Sequence, residues 1–213
     1  MTDGVPNTTR RIRPAARADV PAIASVLADA FIDESVFRWL QPDDDLRRRL
    51  LPVMFAGMLR HVHPIERGSE VLVDGDRLLG AAVWAPPGRW KAPWWRQILA
   101  VPPLLRVLDR KNLKLYSSRG NAIDHAAHAV HPAEPHWYLA GLGVAPAAQG
   151  TGVGFALTRS GRDRCHRQGV PAYLECVAQL VPYYQRLGFH RIHDIEMPGD
   201  APNHVGMWHD SRG

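Results

Sequence analysis

Six residues, Gln149-Gly150-Thr151-Gly152-Val153-Gly154, stand directly before an amphipathic stretch from Phe155 to Arg167 and carry the clearest chemical signal in the chain. Glycines at the start of a helix let consecutive backbone N–H groups converge on one anion, and the helix dipole adds a favourable field. The chemistry implied is the holding of a pyrophosphate. Two familiar phosphate loops do not fit. After Gly150 and Gly152 the next glycine falls at Gly154, one position early for the dinucleotide fingerprint, and no Lys-Ser or Lys-Thr follows as in a Walker A loop. The two cysteines, Cys165 and Cys176, read as ordinary thiols because no second ligand pair stands at zinc-site spacing. His125, His128, His131 and His136 invite a metal. No carboxylate or cysteine joins them at i, i+4 spacing, however, and His131 sits beside Pro132 outside the helix pattern, so no metal is expected.

These groups need elements to position them. Trp137 to Val144 alternates bulky and small residues as a strand does, and Gly141-Leu142-Gly143 within it marks a bulge or a close backbone approach by a ligand. Such a bulge leaves N–H and C=O groups available to an extended amide chain. Upstream, Arg11 to Pro14 reads as a short strand, followed by a helix with Asp19 as N-cap and Pro21 in its first turn. A second helix runs from Asp43 to about His61 with Arg47 to Arg49 facing water, and a hairpin over Glu70 to Trp84 turns at Asp74-Gly75-Asp76. Phe31, Glu34 and Trp39 near the first helix end, with Trp84 on the hairpin, are candidates to line a pocket for a cationic substrate. Residues 89–130, with Trp90, Trp94 and Trp95, suit either an interfacial segment or a helical insertion covering the substrate cleft, and the second reading is preferred. Val170 to Cys176 forms the next strand, and the segments around Asp194 and Val205 to His209 complete the sheet. One domain over 11–213 is expected to follow a disordered tail at 1–10.

Composition sets outer limits. The chain has 213 residues, 26 Lys and Arg against 21 Asp and Glu, and a pI near 9.6. The basic residues form no face interleaved with aromatics as in a nucleic-acid module, so the expected partner is a polyanionic small molecule, with no nucleic acid and no membrane. No run reaches a membrane span, and Met1 to Arg13 lacks the apolar centre of a signal peptide, so a cytoplasmic location is expected.

The glycine loop has the form Q-x-x-G-x-G from Gln149 to Gly154 and follows a strand with internal glycines. About thirty residues on, Val181-Pro182-Tyr183-Tyr184-Gln185-Arg186-Leu187-Gly188-Phe189 ends in Tyr-x-x-x-Gly-Phe. In these two motifs and their order the chain resembles the GNAT superfamily of acetyl-CoA-dependent N-acetyltransferases. Glu134-Pro135-x-Trp137, Pro171-Ala172-x-Leu174-Glu175 and Pro182-x-Tyr184 extend the likeness to the puromycin N-acetyltransferase group and its actinobacterial relatives. The resemblance implies an α/β (α+β) fold with a mixed, mostly antiparallel twisted sheet of six or seven strands, flanked by helices and splayed at the bulged strand. It implies acetyl-CoA as co-substrate, held by Leu142, Gly143 and Val144 and by Gln149, Gly150, Thr151, Gly152, Val153 and Gly154. It places Tyr184 near the coenzyme sulfur, where it can protonate the departing thiolate. For the base, Glu175 at its strand end, Glu34 and a water relay from either remain open. The acceptor is expected to be a primary amine of a small molecule, antibiotic-like or biosynthetic, and the protein a monomer or homodimer. Acetylation of protein lysines or N-termini, and a non-catalytic acyl-CoA sensor of the same fold, are the alternatives.

Overall fold

Seven strands form one sheet in the order β1-β2-β3-β4-β5-β7-β6 in the computed structural model, which describes residues 10–197 and 199–211. The strands are β1 (Arg10–Pro14), β2 (Glu70–Asp74), β3 (Arg77–Ala85), β4 (Trp137–Val144), β5 (Ala172–Val177), β6 (His190–Ile195) and β7 (His204–His209). Only β4 and β5 run parallel. This is the mixed, mostly antiparallel, helix-flanked sheet expected from the sequence. Of the expected tail, residues 1–9 lie outside the described residues, and Arg10 already belongs to β1.

The helices cover both faces. On one, α1 (Val20–Phe31) and α3 (Asp44–Gly57) bury Ile23, Leu27, Leu51 and Phe55 against Val71, Ala81 and Val83. On the other, α7 (Val153–Gln168) and α8 (Val181–Gln185) bury Leu157, Cys165 and Tyr184 against Trp84, Leu139, Leu174 and Met207. Each such apolar side chain contributes roughly 1.5–3 kcal/mol when taken fully from water. The short α2 (Ser35–Leu40) follows α1, and the β3–β4 connection folds into α4 (Trp94–Leu99), α5 (Val101–Leu104) and the long α6 (Arg110–Val130).

Two local readings are corrected. Asp19 does not cap α1 with its side chain: its carboxylate accepts the Ala16 N–H and takes both guanidinium nitrogens of Arg13, at 2.6 and 2.8 Å. Arg47 does not face water with Arg48 and Arg49. It is 1% exposed, and its guanidinium donates to the carbonyls of Ile32 and Gln41 and to the Asp44 carboxylate. Those carbonyls lie at the ends of α1 and α2, where a helix leaves its last C=O groups unpaired. A buried charge survives there because every neighbour is an acceptor.

Candidate active site

β4 and β5 pair over only three residues, from Trp137–Ala172 to Leu139–Leu174, and then diverge. On its other edge β4 stays paired with β3, but the register slips between Gly141–Val83 and Leu139–Trp84. The extra residue is Ala140, one position before the expected Gly141–Gly143 bulge. It switches the alternation: Trp137 and Leu139 face the α7 side, and beyond the bulge Leu142 and Val144 do so. Ala145 donates to the Leu79 carbonyl, so by strand alternation the N–H groups of Leu142 and Val144 point away from β3 into the gap. Gly143 contributes differently. A Cβ there would lie 2.8 Å from Leu27 Cδ2, so its lack of a side chain lets α1 seat on the sheet.

The glycine loop stands at the same end of β4. Gly150 and Gly152 take φ of +73° and +82°, a region open to glycine at little cost. Thr151 Oγ1 donates to the Ala148 carbonyl at 2.7 Å, and Gln149 Nε2 to the Val144 carbonyl at 3.3 Å, so both side chains brace the turn. Gly152 is the N-cap of α7 and offers no side-chain cap. The first N–H groups of α7, those of Val153 and Gly154 among them, are left to an external acceptor. This cradle fits a pyrophosphate, and the gap-facing N–H groups of β4 fit an extended amide chain running from it.

Tyr184 lies on this α7 side, 7% exposed, with its ring edge-on to Tyr183 and Phe189. Burial holds its phenol well above the ordinary tyrosine range, with nearby Cys176 and Tyr183 adding to the effect. It therefore keeps its proton until a strong base appears beside it. Cys165 and Cys176 are buried thiols pushed up to about 12, chiefly by burial, so neither is a nucleophile at neutral pH.

Glu175 leaves β5 on the opposite face, because side chains alternate along a strand: Leu174 and Cys176 pack toward α8, Tyr173 and Glu175 away from it. The Tyr173 hydroxyl donates to Glu175 Oε1 at 3.3 Å. His131 Nδ1 stands 3.5 Å from the same oxygen, with the His131 side chain only 2% exposed. Behind it, His131 Nε2 meets His136 Nε2 at 3.0 Å, and His136 Nδ1 meets the Glu134 carbonyl at 2.6 Å. The carbonyl only accepts, so His136 carries its proton on Nδ1. Burial lowers the pKa of His136 and keeps it neutral, which makes its Nε2 an acceptor for a proton on His131 Nε2. His131 Nδ1 faces the carboxylate and has no hydrogen-bond partner. Trp90 stacks on His131 at 3.5 Å between centroids and fixes the ring.

Glu175 and Tyr138 also floor a cavity of about 470 Å³. Its roof is the β3–β4 connection: Val101 and Leu104 of α5, and Leu113, Tyr116 and Ile123 of α6. Asp124, His128 and His63 add polar groups at its edges. Burial lowers His63 to about 4, leaving it neutral.

The remaining sequence candidates lie elsewhere. Phe31 stacks with Phe37 and Phe55 under α1. Glu34 caps α2 by accepting the Val36 N–H. Trp39 donates to Asp200 at 2.7 Å and lies under the Arg119 guanidinium. Trp84 is fully buried over Gly161 of α7. None of the four lines the cavity in front of Glu175. The groups that do surround Glu175 are Tyr138 and Tyr173, which sequence patterns did not single out, and His131 and His136, which they raised only as metal candidates. Among the described residues no group of metal-binding side chains is assembled, the histidines included.

The acetyltransferase (GNAT) family matches residues 34–189, and the chain belongs to that family. It is an acyltransferase, and members of the family in general move acetyl from acetyl-CoA to an amine. An uncharacterized N-acetyltransferase of Schizosaccharomyces pombe is 29% identical over 178 residues, 80% of this chain and 70% of the relative. A mycothiol acetyltransferase of Renibacterium salmoninarum is 42% identical over 71 residues, which are 32% of this chain and 20% of that one. A Corynebacterium glutamicum crystal structure, named as histone acetyltransferase HPA2 and related acetyltransferase, superposes with a TM-score of 0.69 at 26% identity, covering 94% of this chain and 96% of that one.

Proposed function

We propose that the protein transfers acetyl from acetyl-CoA to the primary amine of a cytoplasmic small molecule with an apolar body, by direct attack within a ternary complex. The observation that carries this reading is the β4–β5 gap, with Tyr184 and the glycine cradle on one face of the sheet and Glu175 and the roofed cavity on the other. Donor and acceptor meet through the sheet.

In this reading the cradle from Gln149 to Gly154 holds the pyrophosphate, and the backbone of Leu142 and Val144 aligns the amide chain and places the thioester carbonyl in the gap. Glu175 takes the proton from the acceptor ammonium and passes it toward His131 Nδ1. The free amine attacks the carbonyl carbon, and a β4 N–H stabilises the oxyanion. Collapse breaks the C–S bond as the nitrogen gives its second proton to Glu175, freed by passing the first to His131; Tyr184 gives its proton to the sulfur and regains one from solvent. Glu34, busy as a helix cap, is the weaker base. The roof over the cavity supports a small acceptor over a polypeptide, which needs an open groove. The likeness to the puromycin N-acetyltransferase group, carried by motif spacing, points the same way. All the residues named lie on one chain, so a monomer or a homodimer serves equally.

A screen of primary amines with acetyl-CoA and thiol detection tests the reading. Arylalkyl and alkyl amines should release free thiol faster than lysine-containing peptides. Tight coenzyme binding without turnover on any amine would overturn it in favour of an acyl-CoA sensor.

A further inference from the structure

The roof of the cavity has an outer face that the transfer reaction does not use. Of the ten large apolar residues exposed among the described residues, five fall on it: Trp94, Trp95, Ile98, Leu99 and Leu105, with Trp94 72% exposed. The charge of the chain is concentrated in the same place. Residues 89–114 carry seven cations (Arg89, Lys91, Arg96, Arg106, Arg110, Lys111 and Lys114) and one anion, Asp109, a net of +6 against +5 for the whole chain. Outside this segment the protein is close to neutral. Among the described residues none of the seven cations makes an ion pair with a carboxylate.

Tryptophans and aliphatic side chains exposed together on a short helical element, within a segment rich in cations that form no ion pair, suit the headgroup layer of a bilayer. We infer that the outer face of α4 and α5 docks on an anionic lipid surface, the tryptophans and Ile98 entering the interface while the cations meet the headgroups. This revises the expectation of no membrane partner. Along the sequence the basic residues look scattered, whereas the excess lies in one segment. The docking does not depend on the assigned acceptor. Charge complementarity selects the partner: a second copy would bring one +6 surface against another, and polybasic segments gain most from acidic lipid. Among the described residues no helix is long and apolar enough to cross a membrane, so the contact is peripheral.

The experiment is co-sedimentation of the full chain with vesicles of phosphatidylcholine, or of phosphatidylcholine and phosphatidylglycerol in equal parts, at low and high salt. Most of the protein should sediment with the anionic vesicles at low salt, and about a tenth or less with the neutral ones or at high salt. Trp94→Ser/Ile98→Ser, at two residues that do not line the cavity, should lower anionic binding about tenfold with unchanged thermal melting. Arg106→Glu/Arg110→Glu should do so through charge alone. Equal binding to both vesicle types, no binding to either, or concentration-dependent dimers in sedimentation velocity that Trp94→Ser/Ile98→Ser abolishes would overturn the inference.

Discussion

The two faces of the β4–β5 gap are built from different materials. On the α7 face the grip is backbone: N–H groups at a helix start, glycines at positive φ, and strand amides freed by divergence. On the α6 face it is side chain: a carboxylate, two phenols, two coupled histidines and an apolar roof drawn from a distant insertion. A phosphate ester and an amide chain can be held by main chain alone. An amine carried on an arbitrary body cannot, and its proton must go somewhere. In the proposed reaction one face therefore grips the coenzyme and supplies the acid for its thiolate, and the other supplies the base and the selectivity.

Substitutions should divide along the same line. Glu175→Gln should lower kcat about a thousandfold, the usual order for loss of a general base, while coenzyme binding measured by calorimetry stays within about twofold. His131→Phe, which keeps a ring under Trp90, should cost about tenfold in kcat and alter the acid limb of the pH–rate profile; an unchanged profile would remove His131 from the proton path. Tyr184→Phe tests the other face and should lower kcat about thirtyfold with coenzyme affinity retained. A phenol that merely packs would show no kinetic loss. Gly152→Ala forces an L side chain to φ +82° and should raise KM for acetyl-CoA several-fold and lower stability by about 1–2 kcal/mol, leaving kcat at saturation nearly unchanged.

Acid should weaken both faces by a smaller effect, with His209 beside α7 adding to the histidines near α6. Burial holds His63 at about 4, and lowers His136 and His193 as well, all three near the α6 face. A histidine lowered in the folded state binds fewer protons than in the unfolded chain, so stability is complete above about pH 6.5 and is lost as pH falls toward 4. Melting temperature should drop over that window, and His63→Phe should flatten the slope. The tyrosines and cysteines of the α7 face, shifted upward, should contribute nothing there.

The same division decides what the sequence reveals. The cradle is contiguous, and a glycine cluster at a helix start serves few purposes besides anion binding, so residues 142–154 are legible as a unit. Their exact mechanics are less so: the bulge falls at Ala140 because register is set by pairing with β3, which is remote in sequence. The acceptor face joins Glu175 to His131 across a parallel crossover, and nothing local announces that contact. His131 and His136, five apart around Pro132 and Pro135, fail a metal test built on helical spacing, yet that spacing puts their rings in contact across an extended turn. Arg47 carries a lesson of its own. It looks solvated beside Arg48 and Arg49, but it stands three and four positions before Leu50 and Leu51, on the stripe that faces inward. Phe31, Glu34, Trp39 and Trp84 have the right chemistry for an amine pocket, and their partners in packing, capping and hydrogen bonding lie elsewhere in the fold.

The three residue pairs that join β4 to β5 have a mechanical consequence. The sheet is two plates, β1 to β4 and β5-β7-β6, riveted along a seam of three rungs and clamped from one side by α7. Under tension or thermal agitation the seam should yield before either plate does, and its amides should exchange with solvent sooner than those of β3 or β7. A fold that must open a slot through its own sheet carries, in that slot, the line along which it will first come apart.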